Sequence, residues 1–271
     1  IINFLKSYRF LKTIYKLQRN IRFDLGLTNN YPYQEYLKGD GIEVGAMSAP
    51  AFIRHAKSVR IADIDCAESQ KLKAQNLEVG ELYGGHFPEV DIIIPKNDRP
   101  LISIEDSSVD FVFSSHSLEH APNPICSLID YYRVVKDQGI VYTIIPNKHN
   151  TYDRKRKDTP ISKLIHKWKN NIFEYEFSEF EELYQNTIDH PVYENKSPEE
   201  VRKAFLENSG MHHITVYSIE NTLQMIQIIL DECANSELIF LKNDWDIHFA
   251  IQKNPPAKYG QTLAEKQIFQ R

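Results

Sequence analysis

The 271-residue chain has no apolar run near the roughly 20 residues that would cross a bilayer, and its opening does not read as a secretory signal. Its three cysteines, Cys66, Cys126 and Cys233, are odd in number and far apart. That spacing suits neither a disulfide framework nor a thiolate metal site, so a reducing cytoplasm is the expected setting. Glycine is scarce where a dinucleotide would need it. In GIEVGAMSAP (41–50) Gly45 is present, but Met47 and Pro50 occupy the places of the second and third glycines. A pyrophosphate against a helix N-terminus needs those glycines for close backbone approach, so NAD and FAD are disfavoured. There is no internal repeat or low-complexity segment.

The residues that are present describe an ordinary globular protein, 42% hydrophobic and 25% charged, sized for one large α/β domain. The net charge of −5 is uneven, because Lys6, Arg9, Lys12, Lys16, Arg19 and Arg22 all precede the first acid, Asp24. The rest is therefore more acidic than the total suggests, which argues against generic nucleic-acid binding. Phe4, Tyr8, Leu11 and Tyr15 recur at helical spacing among those cations. A basic amphipathic helix of this kind suits an anionic membrane surface, its own domain or a second subunit in a homodimer, and docking on protein is the commoner reason for such a face.

From Gly39 the pattern alternates. GDGIEVGA (39–46) reads as a turn and buried strand, Pro50 to His55 as a helix, SVRIADID (58–65) as a strand, 66–75 as a helix, and DIIIP (91–95) and VDFVFSS (109–115) as strands. A helix follows from about Asn123 to Val135, then the turn KDQG and the strand IVYTIIP (140–146). Such alternation predicts a parallel sheet covered on both faces. Residues 147–213 break the rhythm and read as a lid or substrate-binding insertion, with a helix at 197–208 capped by Ser197 and opened by Pro198. HITVYS then reads as a strand, followed by a helix from Ser218 to about Cys233 and strands at 237–242 and 246–253, whose short Asn-Asp turn requires antiparallel pairing. The expected organisation is an N-terminal helical arm (1–38), a main domain (39–253) containing the insertion, and a peripheral tail (254–271).

SHSLEH (115–120) matches His-x-x-Glu-His, the helical zinc signature of one metallopeptidase class. That reading needs His116 and His120 on one face of a helix. The strand pattern of Val109, Phe111 and Phe113 just before it, and Pro122 and Pro124 just after, oppose it. A zinc peptidase is therefore the least favoured reading, and no metal is expected. At the carboxyl end of a central strand, Ser115 and His116 instead line a ligand crevice. Asp63, 18 residues beyond Gly45, is near the offset at which a carboxylate meets ribose hydroxyls, with Asp65 as the fallback. A nucleoside without a pyrophosphate would meet both conditions.

Taken together, GIEVGA, VRIAD, SSVDFVFSSHSLEHAPNP and LIDYYRVVKDQGIVYTIIPN resemble the class I S-adenosylmethionine-dependent methyltransferases, and in particular a bacterial branch associated with surface-polysaccharide and other envelope sugar pathways. The resemblance covers about residues 39–160. It implies a doubly wound, Rossmann-like α/β fold with a seven-stranded sheet and an antiparallel last strand. It also implies that Glu43 and Gly45 border the methionine of the cofactor, Asp63 holds the ribose, Asn97 and Asp98 face the adenine, and Ser115 and His116 lie beside the sulfonium. The chain departs from the family in its glycine-poor first loop and in KDQG, where Pro-Gly-Gly is commoner.

Methyl transfer to a hydroxyl needs a base for the proton and alignment of the acceptor, with no metal required. The candidate bases are His120, His149 and Asp153, and more remotely His116. Arg154 and Arg156 are candidates to bind an anionic group on the acceptor. His212 and His213 read as structural. The acceptor expected is a small polar molecule, a nucleotide-linked or polysaccharide sugar first, with a phosphorylated or amino-acid-derived metabolite as the alternative. A non-catalytic cofactor-binding module is the rival from another class.

Overall fold

The computed structural model describes residues 32–47, 50–65, 88–176, 178–179, 197, 199–200, 203 and 212–254. The apolar runs become β1 (Lys38–Val44), β2 (His55–Asp63), β3 (Ile92–Ile93), β4 (Val109–Ser115), β5 (Val135–Pro146), β6 (Ser236–Asn243) and β7 (Asp246–Lys253). They form one sheet in the order β3-β2-β1-β4-β5-β7-β6. The first five strands pair in parallel, whereas β7 runs antiparallel to both of its neighbours, β5 and β6. This is the expected doubly wound, Rossmann-like architecture. Strand order reverses between β1 and β4, so the carboxyl ends of those two strands flank the switch-point crevice where open α/β sheets hold ligands.

Alternation along the strands builds two cores. Phe111, Phe113, Ile140, Tyr142 and Ile144 face one side, with Tyr33, Leu37 and Ile53 packed on them. Val112, Val141, Ile145, Ile247 and Phe249 face the other, under α1 (Pro124–Val134), α2 (Ile161–Lys169) and α3 (Ile219–Glu232). Asn123 starts α1 by accepting the Cys126 N–H at 3.2 Å, with Pro124 in the first turn where its missing donor costs nothing. Its amide also donates to the carbonyls of Lys167 and Ile172, tying the end of α2 to the start of α1. Ser218 and Asn221 form a capping box at the head of α3.

Three expectations are corrected. Pro50 to His55 is not helical: β2 already begins at His55, and the backbone before it is held by side chains. The Ala51 N–H donates to Glu43, the Arg54 N–H donates to Gln34, and the Gln34 amide donates to Phe52 O. KDQG is no separate turn, because β5 starts at Val135 and carries these residues as an irregularity, with Gln138 at φ 64°. HITVYS is not a strand. The place beside β5 is taken by β7, and this segment bonds instead to Glu119 and Thr159.

At the expected helix 197–208, residues 199, 200 and 203 are helical, and Ser197 and Glu200 exchange reciprocal capping bonds of 3.2 and 2.7 Å. The rest of that helix, the arm up to residue 31, the helix 66–75 and the tail beyond 254 lie outside the described residues. No helix among the described residues is long and apolar enough to cross a membrane.

Candidate active site

β1 carries Glu43 into the interior, where it is 3% exposed, and both carboxylate oxygens accept the Ala51 N–H, at 2.9 and 3.0 Å. Burial raises its pKa to about 8 against the effect of that bond, and the nearby Asp63 adds to the rise. Asp63, the last residue of β2 and also buried, accepts the Met47 N–H at 3.1 Å and that of Ile64 at 2.7 Å. Between these acids the chain turns sharply through Gly45 (φ 73°) and Met47 (φ 47°). A Cβ on Gly45 would stand 2.5 Å from Ser117 Oγ. Glycine therefore allows the loop after β1 to press against the loop after β4 across the switch point.

The loop after β4 holds a second charged group. The chain leaves Ser115 through His116 in the left-handed region (φ 49°), and only Leu118–His120 coil into a short 3-10 turn. His116 and His120 thus never share a helix face, and the metallopeptidase geometry does not form. Burial opposes a charge on His116. Asp246, 3.4 Å from Nε2, and Glu119, 3.5 Å from Nδ1, together outweigh it and lift the pKa to about 10.

Glu119 is 0% exposed, and neither carboxylate oxygen has a hydrogen-bond partner. Three imidazoles surround it: besides His116, Nε2 of His120 and Nε2 of His213 each lie 3.8 Å from Oε1. Burial would raise its pKa, but these rings hold it below the usual carboxylate value. Burial pushes His120 down to about 4, against the pull of Glu119, so its ring is neutral near pH 7. The His120 Nδ1 lies 2.9 Å from the His212 carbonyl, and the His213 Nδ1 lies 2.6 Å from Asp153. Asp153 is buried and also paired with Arg156 at 2.8 Å. His213 and Arg156 keep it ionised against the effect of burial. Glu119, His120 and His213 offer ligand atoms that all lie within 4.8 Å of one another.

A family model described as a methyltransferase domain matches residues 41–143, from within β1 to the middle of β5, a stretch that contains Glu43, Asp63, His116, Glu119 and His120 but not Asp153 or His213. Over that stretch, less than half of its length, the chain is similar to a methyltransferase domain. Among solved structures, a methyltransferase of this cofactor class from Methanococcus maripaludis is 15% identical, with 90% of this chain and 87% of that one covered at a TM-score of 0.40. One from Thermotoga maritima is 13% identical, covering 93% and 96% at 0.42. A protein from Rhodobacter sphaeroides described as a zinc-dependent alcohol dehydrogenase is 12% identical, covering 85% and 87% at 0.48. Likeness at this level carries no argument about chemistry. No curated protein is similar enough to the chain to count as a match.

The positions expected at the cofactor divide into two groups. Glu43, Gly45, Asp63, Ser115 and His116 all stand at the carboxyl ends of β1, β2 and β4. Asn97 and Asp98 lie in an exposed turn after β3, where the Asp98 carboxylate accepts the Arg99 N–H at 2.7 Å. Of the candidate bases, His120 and Asp153 are brought together through His213, while His149 is exposed in the turn after β5. Arg154 is exposed as expected of an acceptor-binding residue. Arg156 is not: it is 2% exposed, and its guanidinium is engaged by Asp153 and the His213 carbonyl, a correction to its expected role. Sequence reasoning passed over Glu119, seen only as part of a peptidase motif, and His213, read as structural. The one signal for His213 was a histidine pair standing where the regular pattern resumes.

Proposed function

We propose that the enzyme transfers the methyl group of S-adenosylmethionine to a hydroxyl of a small polar acceptor, a nucleotide-linked or polysaccharide sugar first. When bound, the cofactor supplies an activated methyl on a sulfonium. With that group bound, the chain's own residues would hold the acceptor hydroxyl in line with the methyl and take the hydroxyl proton as the methyl passes to oxygen. The observation that carries this reading is the buried carboxylate of Glu119 with two imidazole nitrogens turned towards it, on the loop directly after Ser115 and His116. This group gives an acceptor hydroxyl a place to lose its proton beside the crevice. Glu43, Asp63 and the tight turn at Gly45 form the opposite wall, for the methionine and ribose of the cofactor. Arg154, exposed near Asp153, suits a phosphate on the acceptor.

The sugar preference rests on the resemblance of SHSLEHAPNP and its neighbouring motifs. The test is release of S-adenosylhomocysteine with a panel of nucleotide-linked sugars, free sugar phosphates and amino-acid derivatives. Turnover with sugars alone supports the reading. Turnover confined to amines or carboxylates would replace the acceptor, and cofactor binding with no turnover on any acceptor would favour the binding-module rival.

A further inference from the structure

We propose that Glu119, His120 and His213 bind a divalent transition-metal ion of the zinc or iron(II) class, held by Glu119 Oε1 and the two Nε2 atoms. The three atoms are spaced for an ion and not for one another. Nε2 of each ring is 3.8 Å from Oε1, beyond the 2.7–3.2 Å of a hydrogen bond. Ligands about 2.0–2.1 Å from a tetrahedral zinc stand roughly 3.4 Å apart, so each Nε2–Oε1 distance would contract by a few tenths of an ångström and the two Nε2 atoms, within 4.8 Å of one another, by at most about 1.4 Å.

The proton positions agree. A carbonyl can only accept, so the His120 Nδ1 donates to His212 O, which leaves Nε2 as the position for a lone pair. The Asp153 carboxylate, paired with Arg156, receives the His213 Nδ1 at 2.6 Å in the same way. A proton on His213 Nε2 would still be too far from Glu119 to bond. Two ring nitrogens therefore converge on a buried carboxylate whose nearest basic neighbour, His116, stands 3.5 Å from the same oxygen without a hydrogen bond, and a cation between the two rings would meet that oxygen at closer range. The outer contacts are those of metal-binding histidines, one held by a backbone carbonyl and the other by a carboxylate. Two imidazoles and one carboxylate, with no thiolate, suit zinc or iron(II) better than magnesium, which prefers an all-oxygen shell. His120 and His213 keep 22% and 13% of their side chains exposed, leaving one side open to a further ligand. If the proposed function holds, that ligand is the acceptor hydroxyl, whose proton the ion would make easier to lose.

The test is calorimetric titration of chelator-treated, dialysed full-length protein with Zn²⁺ and with Mg²⁺, with metal content measured on protein as purified and S-adenosylmethionine titrated separately. The site predicts one zinc per chain at micromolar affinity or better, magnesium at least about 100-fold weaker, and a rise in melting temperature on zinc addition. Glu119→Gln, close to isosteric, should lower zinc affinity at least about 100-fold and Asp153→Asn about 10–100-fold, while His166→Ala on the exposed side of α2 leaves it unchanged. No zinc uptake and no thermal shift in wild-type protein would overturn the site, as would equal affinity in Glu119→Gln. Cofactor binding without zinc binding overturns the metal site alone. Zinc binding without cofactor binding upholds the site and overturns the methyltransferase reading.

Discussion

Two glutamates are buried at the same edge of the sheet, and they carry opposite charge states. Glu43 ends up with a backbone N–H against both oxygens and Asp63 nearby, and its pKa rises to about 8. Glu119 has no hydrogen bond, yet its histidine neighbours, His116 first, hold its pKa below the usual carboxylate value against burial. Burial costs both groups their charge in principle, and the neighbours decide the outcome. The wall at β1 and β2 is built by acids near one another, which favours a proton or a cationic ligand. The wall after β4 is an anion among bases, which favours chemistry on a proton or a metal.

This contrast can be broken at either glutamate. The largest effect is expected at Glu119: Glu119→Gln should lower kcat by about 10²–10⁴-fold with cofactor affinity within about twofold. A loss confined to cofactor affinity would assign Glu119 to the binding wall instead. Glu43 should act on stability. Its folded pKa is raised, so its contribution is present below about pH 4.5 and lost as pH rises through about 8, on the order of 5 kcal/mol in all. Chemical denaturation of wild type and Glu43→Gln from pH 5 to 8 should show the wild type losing stability relative to the variant, and parallel curves would refute the raised pKa.

The contact between the two walls comes next. Gly45→Ala should cost about 2–3 kcal/mol, from a positive φ and a Cβ driven into Ser117. Adding Ser117→Gly should return only the steric part, about half. Full recovery would mean that the φ is not strained. Asp63→Ala should weaken cofactor binding by about 10–100-fold and cost about 1–3 kcal/mol of stability from the Met47 and Ile64 N–H groups left unpaired, with the fold intact. Wild-type affinity in that variant would remove Asp63 from the ribose site. Arg154→Ala should be the mildest, about threefold in acceptor KM from an exposed charge, and a change in kcat instead would place it nearer the chemistry.

Much of the sheet is legible in the sequence because its strands are short apolar runs between turns, and the antiparallel end follows from the two-residue gap between β6 and β7. HITVYS misleads for a physical reason: Ile214 and Val216 alternate as a strand would, but local pattern does not reveal that β7 fills the slot beside β5. Pro50 to His55 misleads because Glu43 and Gln34, distant in sequence, satisfy its backbone in place of helical bonds. At the site, the expectation for Asp63 follows from its spacing to Gly45, and those for Glu43 and Gly45 from the resemblance carried by GIEVGA. The Glu119 group does not, since His213 comes from the end of the insertion and its partner Asp153 from near the start, 60 residues apart. His-x-x-Glu-His drew attention to the right stretch for the wrong geometry.

The placement of β7 between β5 and β6 also has a consequence for how the protein is made. As the chain emerges from the ribosome, β6 appears with no strand to join, because the place next to β5 belongs to a segment still to be synthesised. Asp246, the residue that grips His116, opens that last strand. The catalytic edge of the sheet therefore assembles only after translation has passed Asp246, and a ribosome stalled a few residues earlier would display a nearly complete sheet with β5 as an open, aggregation-prone edge.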